Sequence, residues 1–363
     1  MKALAQLLHA LREPAAMASF DADTWDRVVR QAAGAGLLGR LAALARRAGI
    51  ETRLPPAVWR HMRAFLTVAE QQRRAVSWEL VQLTHALAGV DGPVLLLKGA
   101  AYVAADLPPA PGRVFSDIDI MVRKSSLDAT EAALMLDGWN SAGHDDYDQR
   151  YYRCWMHELP PMMHIRRQTV LDVHHTILPE TARIRTRPEA IIDAARRLAD
   201  FPGFCVPCDA DLVLHGATHL FHEGEWQQGL RNLADLDALL RSFGSRPGFW
   251  DELLARASTL NLGRPLFYGL RYARRLLATP IPPDVEARCP GRPPKLMLAG
   301  MDALFLGGFA CAHHSSRTPF AVLASDALYL RSHWLRMPMR LLLPHLAHKF
   351  WRARSRPAAA ATA

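Results

Sequence analysis

Cysteine is scarce in this sequence, with five residues among 363. Their number is odd and their spacing scattered, and the N-terminus reaches His9, Arg12 and Glu13 before an apolar segment of signal-peptide length develops. A disulfide framework like that of small secreted domains is therefore not expected. We predict a cytoplasmic protein.

Long apolar runs are also missing. The nearest candidate, residues 296–312, contains Asp302 and three glycines, whereas a membrane-spanning helix needs about 18 uninterrupted apolar residues. We expect no transmembrane segment and a soluble protein that is at most peripheral. Half of the residues are hydrophobic, which is enough for one large core or two ordinary ones.

Acidic residues are too few to balance the basic ones, and the formal net charge is +9. This excess favours polyanionic partners such as triphosphates, nucleic acid or acidic lipid. Much of it lies near the C-terminus, in Arg331, Arg336, Arg340, Lys349, Arg352, Arg354 and Arg356. We interpret this basic region as a solvated face, or else as a peripheral contact with an anionic membrane or another polyanion.

Changes in residue pattern divide the chain into four regions. Residues 1–90 form a helical N-terminal region, because apolar residues recur three and four positions apart. Residues 91–185 contain short apolar runs between turns and are predicted to be an α/β core, followed by a helical domain over 186–279. Residues 280–363 comprise a Pro-rich linker at 280–294, basic helices and a tail that we expect to be disordered. The predicted fold class is α+β, with a small mixed sheet between helical regions.

The predicted core contains several short elements. They are a buried strand at 94–97, a strand at 117–122, a Ser-capped helix at 125–136 closed by Gly138, and short strands between 151 and 177, the last at 169–174. Side chains two positions apart in a strand lie on one face. Asp117 and Asp119 therefore share a face of one strand, and Asp172 lies on another.

These three aspartates predict a divalent-metal site. Acids flanked by Ile118 and Ile120 are costly near a core unless a cation compensates them. Mg²⁺ prefers hard oxygen ligands and keeps several waters, so a few carboxylates suffice for it or for Mn²⁺. We predict that Asp117, Asp119 and Asp172 hold the metal and that Asp172 also acts as a general base. An Asp-x-Asp pair alone is more often a solvated strand edge, and the prediction depends on the order of the elements.

Phosphate-binding groups precede the acids. Lys98 and Gly99 lie at a strand-to-helix turn, where backbone N–H groups and a helix N-terminus can bind phosphate. Ser116 offers a hydroxyl, and Arg113 offers a bidentate guanidinium. Each of these alone is also compatible with an ordinary turn.

Three segments, 96–100, 113–122 and 171–174, resemble the polymerase-β-type nucleotidyltransferase superfamily. They are most similar to its bacterial branch of uncharacterised nucleotidyltransferases, and the resemblance covers roughly residues 60–245. Gly99-Ala100 stands where Gly-Ser is common in the superfamily. A helix with His215, His219 and His222, followed by Arg231 and Asp235, also resembles that branch.

The resemblance implies Mg²⁺-dependent transfer of a nucleoside monophosphate from a nucleoside triphosphate, expected to be ATP, to a hydroxyl acceptor. The acceptor is unknown, and we expect a small molecule or a natural-product or polysaccharide intermediate. Two alternatives stay open. One is a protein- or RNA-modifying nucleotidyltransferase of a toxin–antitoxin or defence system, and the other is a non-catalytic nucleotide-binding partner protein.

Other motifs have simpler interpretations beside their functional ones. His215, His219 and His222 have a spacing that zinc sites use, but core hydrogen bonding is favoured because no Cys or Glu completes the set. Cys205 and Cys208 form one CxxC motif without a second pair and are interpreted as semi-buried thiols. His174 is a candidate to orient Asp172 or contact substrate. The aromatic residues Tyr147, Tyr151, Tyr152 and Trp155, which lie among Arg150 and Arg153, favour sheet packing over nucleobase stacking.

Overall fold

The N-terminal region is helical, as predicted. The computed structural model describes residues 2–141, 146–222, 224, 226–310 and 312–344. The first four α-helices are α1 (Ala5–Arg12), α2 (Ala22–Gly34), α3 (Leu38–Arg47) and α4 (Pro56–Ala86). Asp21 caps α2 by accepting a hydrogen bond from the backbone of Thr24, and Pro56 begins α4 at a position where a missing N–H costs nothing.

A mixed sheet of seven strands forms the centre of the molecule. The strands are β1 (Val94–Leu97), β2 (Asp117–Met121), β3 (Trp139–Asn140), β4 (Met162–His164), β5 (Val170–His174), β6 (Arg196–Arg197) and β7 (Phe204–Val206), in the order β3-β4-β5-β2-β1-β7-β6. β2 lies between antiparallel β1 and parallel β5. The helices of this region are α5 (Lys98–Ala104), α6 (Leu127–Asp137), α7 (Asp146–Trp155) and α8 (Pro188–Asp193).

Helices again make up the C-terminal part. They are α9 (Asp209–His222), α10 (Gly229–Phe243), α11 (Phe249–Thr259), α12 (Gly263–Leu277), α13 (Pro283–Arg288), α14 (Lys295–Phe309) and α15 (Pro319–Arg336). The α+β prediction is confirmed. One continuous set of buried apolar side chains extends from Leu4 to Leu328 within the described residues, and the division into four regions stays a prediction.

Three local predictions differ from the structure. Residues 151–155 belong to α7 and not to a strand, because Tyr147, Tyr151 and Trp155 recur every four residues and their rings make edge contacts on one helix face. The side chain of Ser126, at the N-cap of α6, makes no capping bond and donates instead to the carbonyl of Asp91. The helix does end at Gly138, which adopts the predicted left-handed conformation.

The third difference concerns the Pro-rich segment 280–294, which contains α13 and is not a plain linker. Pro283 occupies the first turn of that helix, where proline favours a helix start. Val285 and Cys289 are buried against the core, so the segment packs onto the helical domain.

Two predicted absences concern membrane spans and disulfides. Within the described residues, no helix combines the length and apolarity that crossing a membrane requires. The cysteines in the same part of the chain, Cys154, Cys205, Cys208 and Cys289, are free thiols. The predicted tail and the basic residues Lys349, Arg352, Arg354 and Arg356 lie outside the described residues, as does the side chain of Arg150.

Candidate active site

The register between β2 and β5 brings two of the predicted acids together. The strands are parallel, and Asp119 lies directly opposite Asp172. Because residues paired across a sheet project on the same face, both carboxylates point the same way. One ligand atom each from Asp119, Asp172 and His174 lies within 4.8 Å of the others. This is close enough for one cation to contact all three.

Asp119 is buried between two cationic or polar groups. Lys98 Nζ donates to its Oδ1 at 2.8 Å, and His174 Nε2 lies 3.1 Å from the same oxygen. Burial alone would raise the pKa of Asp119, but the charge of Lys98 and the hydrogen bond with His174 hold that pKa well below its usual range. Asp119 is therefore ionised at neutral pH.

His174 contacts Asp119 rather than orienting Asp172. Its other ring nitrogen, Nδ1, lies 3.2 Å from a carboxylate oxygen of Glu158. Burial opposes protonation, yet the bond with Asp119 and the charge of Glu158 together raise the pKa of His174. The imidazole therefore holds the carboxylate of Asp119 in position.

Asp172 has an unsatisfied carboxylate. Its Oδ1 is buried and makes no hydrogen bond. Burial, followed by the nearby charges of Asp119 and Glu158, raises the pKa of Asp172 to about 7. A buried oxygen without a donor, beside a second carboxylate, is what a divalent cation would satisfy. The residues present therefore fit a hard metal ion.

This environment predicts a pH dependence of stability for the metal-free protein. The ordinary pKa of aspartate is about 4, and in the fold that of Asp172 is about 7. Between these values the native protein keeps a proton that the unfolded chain has lost. The free energy of unfolding should therefore fall as the pH rises through this window.

Asp172→Asn tests this dependence, because asparagine has no such proton to lose. Thermal unfolding in EDTA at about pH 5 and about pH 8 should show a smaller loss of stability for Asp172→Asn than for the wild type. Equal losses in the two proteins would contradict the assigned environment of Asp172.

Asp117 lies at the outer side of the acid cluster. It shares the face of Asp119 because the two are two positions apart on β2. It is more exposed than Asp119 and is not among the ligand atoms that lie within 4.8 Å of one another. Of the three predicted acids, the structure thus clusters two tightly, with His174 as the third member and Asp117 at the rim.

The acids line a pocket of about 860 Å³. All seven residues singled out in the sequence line it: Lys98, Gly99, Arg113, Ser116, Asp117, Asp119 and Asp172. Ser116 is exposed at this surface. Residues that sequence reasoning did not assign to the site complete the walls, from α3, α4, α7, α10 and α15.

Arg113 is part of a buried ion-pair network. Its Nε donates to Asp235 Oδ2 at 2.7 Å, and Arg40 donates to the other oxygen, Oδ1, at 2.5 Å. Arg40 also donates to the carbonyl of Pro109. Burial would lower the pKa of Arg113, but the charge and hydrogen bond of Asp235, together with Tyr102 and Asp119, raise that pKa above its ordinary value. The network connects α3, the loop before β2, and α10, so Arg113 has a structural partner besides any phosphate.

Gly99 makes room for this arrangement. A Cβ at this position would lie 2.7 Å from Arg113 Nη1 and 3.0 Å from the Phe115 ring. Arg113 is anchored by Asp235 and cannot move away freely. The sequence analysis assigned Gly99 to phosphate binding, and the structure adds a steric requirement for glycine.

Gly99→Ala should therefore destabilise the protein by about 1–3 kcal/mol, the usual cost of overpacking. The free energy of unfolding from denaturant titration measures this. Gly300→Ala on α14 is the matched control, because nothing lies within 4 Å of the added Cβ; it should be neutral or stabilising by about 0.5–1 kcal/mol. If both variants were equally stable, the steric assignment would be wrong.

One wall of the pocket comes from α15, which is far from the acids in sequence. Tyr329, His333 and Arg336 line the pocket, and their spacing of four and three places them on one helix face. The helix is held by Arg331, which donates to the carbonyl of Phe221, and by Thr181, which donates to the carbonyl of Arg336. The spacing was visible in the sequence, but nothing in it connected α15 with the acids.

Two other sequence motifs lie close to the site without forming the predicted alternatives. His215, His219 and His222 line a small adjoining cavity together with His157 and His174. In the described part of the chain, the groups close enough to share a metal are Asp119/Asp172/His174 and His157/Glu158/His174, and neither includes the α9 histidines. Burial lowers the pKa of His215 to about 3, so it is neutral.

The CxxC motif has the character of semi-buried thiols. Cys205 is buried on β7, and Cys208 is half-buried. Burial, with the charge of Asp211, raises the pKa of Cys208 to about 11. Both thiols are therefore protonated at neutral pH, which disfavours nucleophilic or metal-binding roles.

An α+β core that presents carboxylates from adjacent strands to a pocket with basic side chains is an arrangement that suits a nucleotidyltransferase, an enzyme that transfers phosphorus-containing groups. The profile of the uncharacterised nucleotidyltransferase family matches residues 21–278, and the chain belongs to this family. Among curated proteins, none shows significant similarity to the chain. The family segment includes all seven predicted site residues and ends before α13.

Proposed function

We propose that the protein transfers a nucleoside monophosphate from a nucleoside triphosphate, with ATP as the expected donor, to a hydroxyl acceptor in a Mg²⁺-dependent reaction. The observation that carries the proposal is the parallel pairing of Asp119 with Asp172, which brings two carboxylates together at the floor of a pocket with basic walls. Mn²⁺ would fit the same oxygen ligands.

Asp117, Asp119 and Asp172 are the residues that would hold the metal. When bound, the ion supplies compensation for the negative charge that develops on the phosphate oxygens. His174 keeps Asp119 in place through the 3.1 Å contact. Lys98 donates a hydrogen bond to Asp119 in the structure. A cation bound by that carboxylate would take over its charge, and the ammonium group of Lys98 would then be available to bind the triphosphate.

Asp172 is the proposed general base. The oxygen of the acceptor hydroxyl forms a bond to the α-phosphorus, the bond from that phosphorus to the bridging oxygen breaks, and pyrophosphate leaves. The hydroxyl proton passes to the carboxylate of Asp172, which lines the pocket beside Asp119. The phosphate-binding groups proposed beside it are Gly99 and Ser116, with Lys98 and Arg113.

The test is turnover of each labelled triphosphate with Mg²⁺ and a panel of acceptors: sugars and other small alcohols, RNA, and protein. Label transfer to a small alcohol together with pyrophosphate release supports the proposal. Label on protein or RNA would indicate the macromolecule-modifying alternative. Tight triphosphate binding without pyrophosphate release at saturating Mg²⁺ would contradict an enzymatic role and indicate a nucleotide-binding partner protein.

A further inference from the structure

Arg231 is a basic residue of the pocket that has no carboxylate partner. It lies on α10 and lines the pocket wall. Its hydrogen bonds are long: Nη1 lies 3.4 Å from the carbonyl of Val114, and Nη2 lies 3.4 Å from Asn232 Oδ1. Its Nε is buried and makes no hydrogen bond. No carboxylate of the described residues is within ion-pair distance of its guanidinium.

Asp235 would be the natural partner, since it follows Arg231 by one helical turn on α10. Both of its carboxylate oxygens are already taken, Oδ1 by Arg40 and Oδ2 by Arg113. These ion pairs are among the most buried in the molecule, with side-chain exposure of 10% or less for every member. Asp235 therefore pairs with two of the three neighbouring guanidinium groups, and Arg231 is left without a carboxylate of its own.

The surroundings of Arg231 are unfavourable for its positive charge. Burial, followed by the repulsion of Arg113, lowers the pKa of Arg231 to about 10. Buried charges are normally paired, and a local conflict of this kind is typical of functional sites, where stability is given up for binding. An anion that enters the pocket would offset this buried charge.

We propose that Arg231 binds the β- and γ-phosphates of the nucleoside triphosphate, the part that leaves as pyrophosphate, and this inference rests on the proposed function. The Val114 carbonyl that Arg231 approaches precedes Ser116 by two residues, so the guanidinium lies beside the segment proposed to bind phosphate. A guanidinium with an open edge can bind phosphate oxygens in a bidentate way. Arg113, which is held by Asp235, lines the same pocket as Arg231.

Gly36, in the turn between α2 and α3, lies beside Arg231. Its φ of +67° favours glycine, and a Cβ there would lie 3.5 Å from Arg231 Cδ, an ordinary van der Waals distance. The turn therefore borders the side chain of Arg231.

The experiment compares Arg231→Met, which removes the charge and keeps an unbranched side chain, with Arg231→Lys, which keeps the charge. Equilibrium binding is measured with Mg²⁺ and a non-hydrolysable triphosphate analogue, pyrophosphate, and the nucleoside monophosphate. A charge-assisted hydrogen bond of this kind corresponds to about 10- to 100-fold in affinity. Arg231→Met should lose that much for the triphosphate and pyrophosphate and little for the monophosphate, and Arg231→Lys should recover part of the loss.

Thermal unfolding without nucleotide separates binding from a structural role. Removing an uncompensated buried charge should leave the unfolding temperature of Arg231→Met unchanged or raise it. Arg241→Met is the matched control on the same helix, since Arg241 pairs with Asp237 and does not line the pocket; its triphosphate affinity should equal that of the wild type.

Three outcomes overturn the inference. In the first, Arg231→Met binds triphosphate as tightly as the wild type. The inference is then wrong, but the proposed function stands if the wild type turns over triphosphate. A loss of stability in Arg231→Met with unchanged affinity would show a structural role. If the wild type binds no triphosphate with Mg²⁺, the proposed function itself fails and this inference fails with it.

Discussion

Asp119→Asn is expected to lower Mg²⁺-dependent triphosphate turnover by about 10³-fold or more. A metal ion contributes several kcal/mol to such a reaction, and about 1.4 kcal/mol corresponds to a factor of ten. Asparagine keeps the shape of the side chain but removes the charge that Lys98 and His174 contact in the fold. The measurement is the rate of pyrophosphate release at saturating triphosphate and Mg²⁺.

Asp200→Asn provides the matched control, because Asp200 is exposed in a turn and is not part of the pocket lining. It should retain wild-type turnover. Asp117→Ala should also lower triphosphate turnover, as Asp119→Asn does. If Asp117→Ala and Asp119→Asn both kept turnover within a few-fold of the wild type, the metal-site assignment would be untenable.

Asp172→Asn is expected to lower turnover by about 10²- to 10⁴-fold, the range that general acid–base groups contribute. Because Asp172 is also a proposed metal ligand, the rates are compared at saturating Mg²⁺ and triphosphate, where a weaker affinity does not limit turnover. Single-turnover kinetics separate the two effects, since the loss should appear in the chemical step.

The folded state gives an independent check on this variant. Asp172 Oδ1 is buried without a hydrogen bond, so asparagine should not destabilise the metal-free protein at neutral pH. A large drop in unfolding temperature would mean that Asp172 stabilises the fold in a way the structure does not show. Full activity in Asp172→Asn would exclude it as the base.

The central part of the site could be predicted from the sequence because its geometry is local. The alternation of acidic and apolar residues over 117–122 determines that Asp117 and Asp119 share a face of β2, whatever the rest of the chain does. Asp172 required one further step, the pairing of β2 with β5, and the order of elements was sufficient to suggest it. The resemblance to the family was recognised from the same short segments.

The rest depends on contacts between residues far apart in the chain. Arg113 was predicted to be a phosphate ligand because its guanidinium lies just before the acids in sequence, yet its partner Asp235 is 122 positions away. The sequence analysis named Arg231 and Asp235 together, as part of the resemblance to the family. Asp235 stands one turn from Arg231, but both of its carboxylate oxygens are occupied by other arginines.

Local pattern also failed where two periodicities compete. The aromatic residues around Tyr151 resemble strand residues by composition, and only their spacing of four indicates the helix that forms. In the Pro-rich segment, composition indicated a linker, whereas burial of Val285 shows that tertiary packing decides the structure.

The wall that α15 contributes lies outside the segment shared with the family. That segment ends at residue 278, whereas Tyr329, His333 and Arg336 reach the pocket from beyond it. The family match therefore accounts for the strands that carry the acids but not for this border of the pocket, and proteins that share only that segment need not share it.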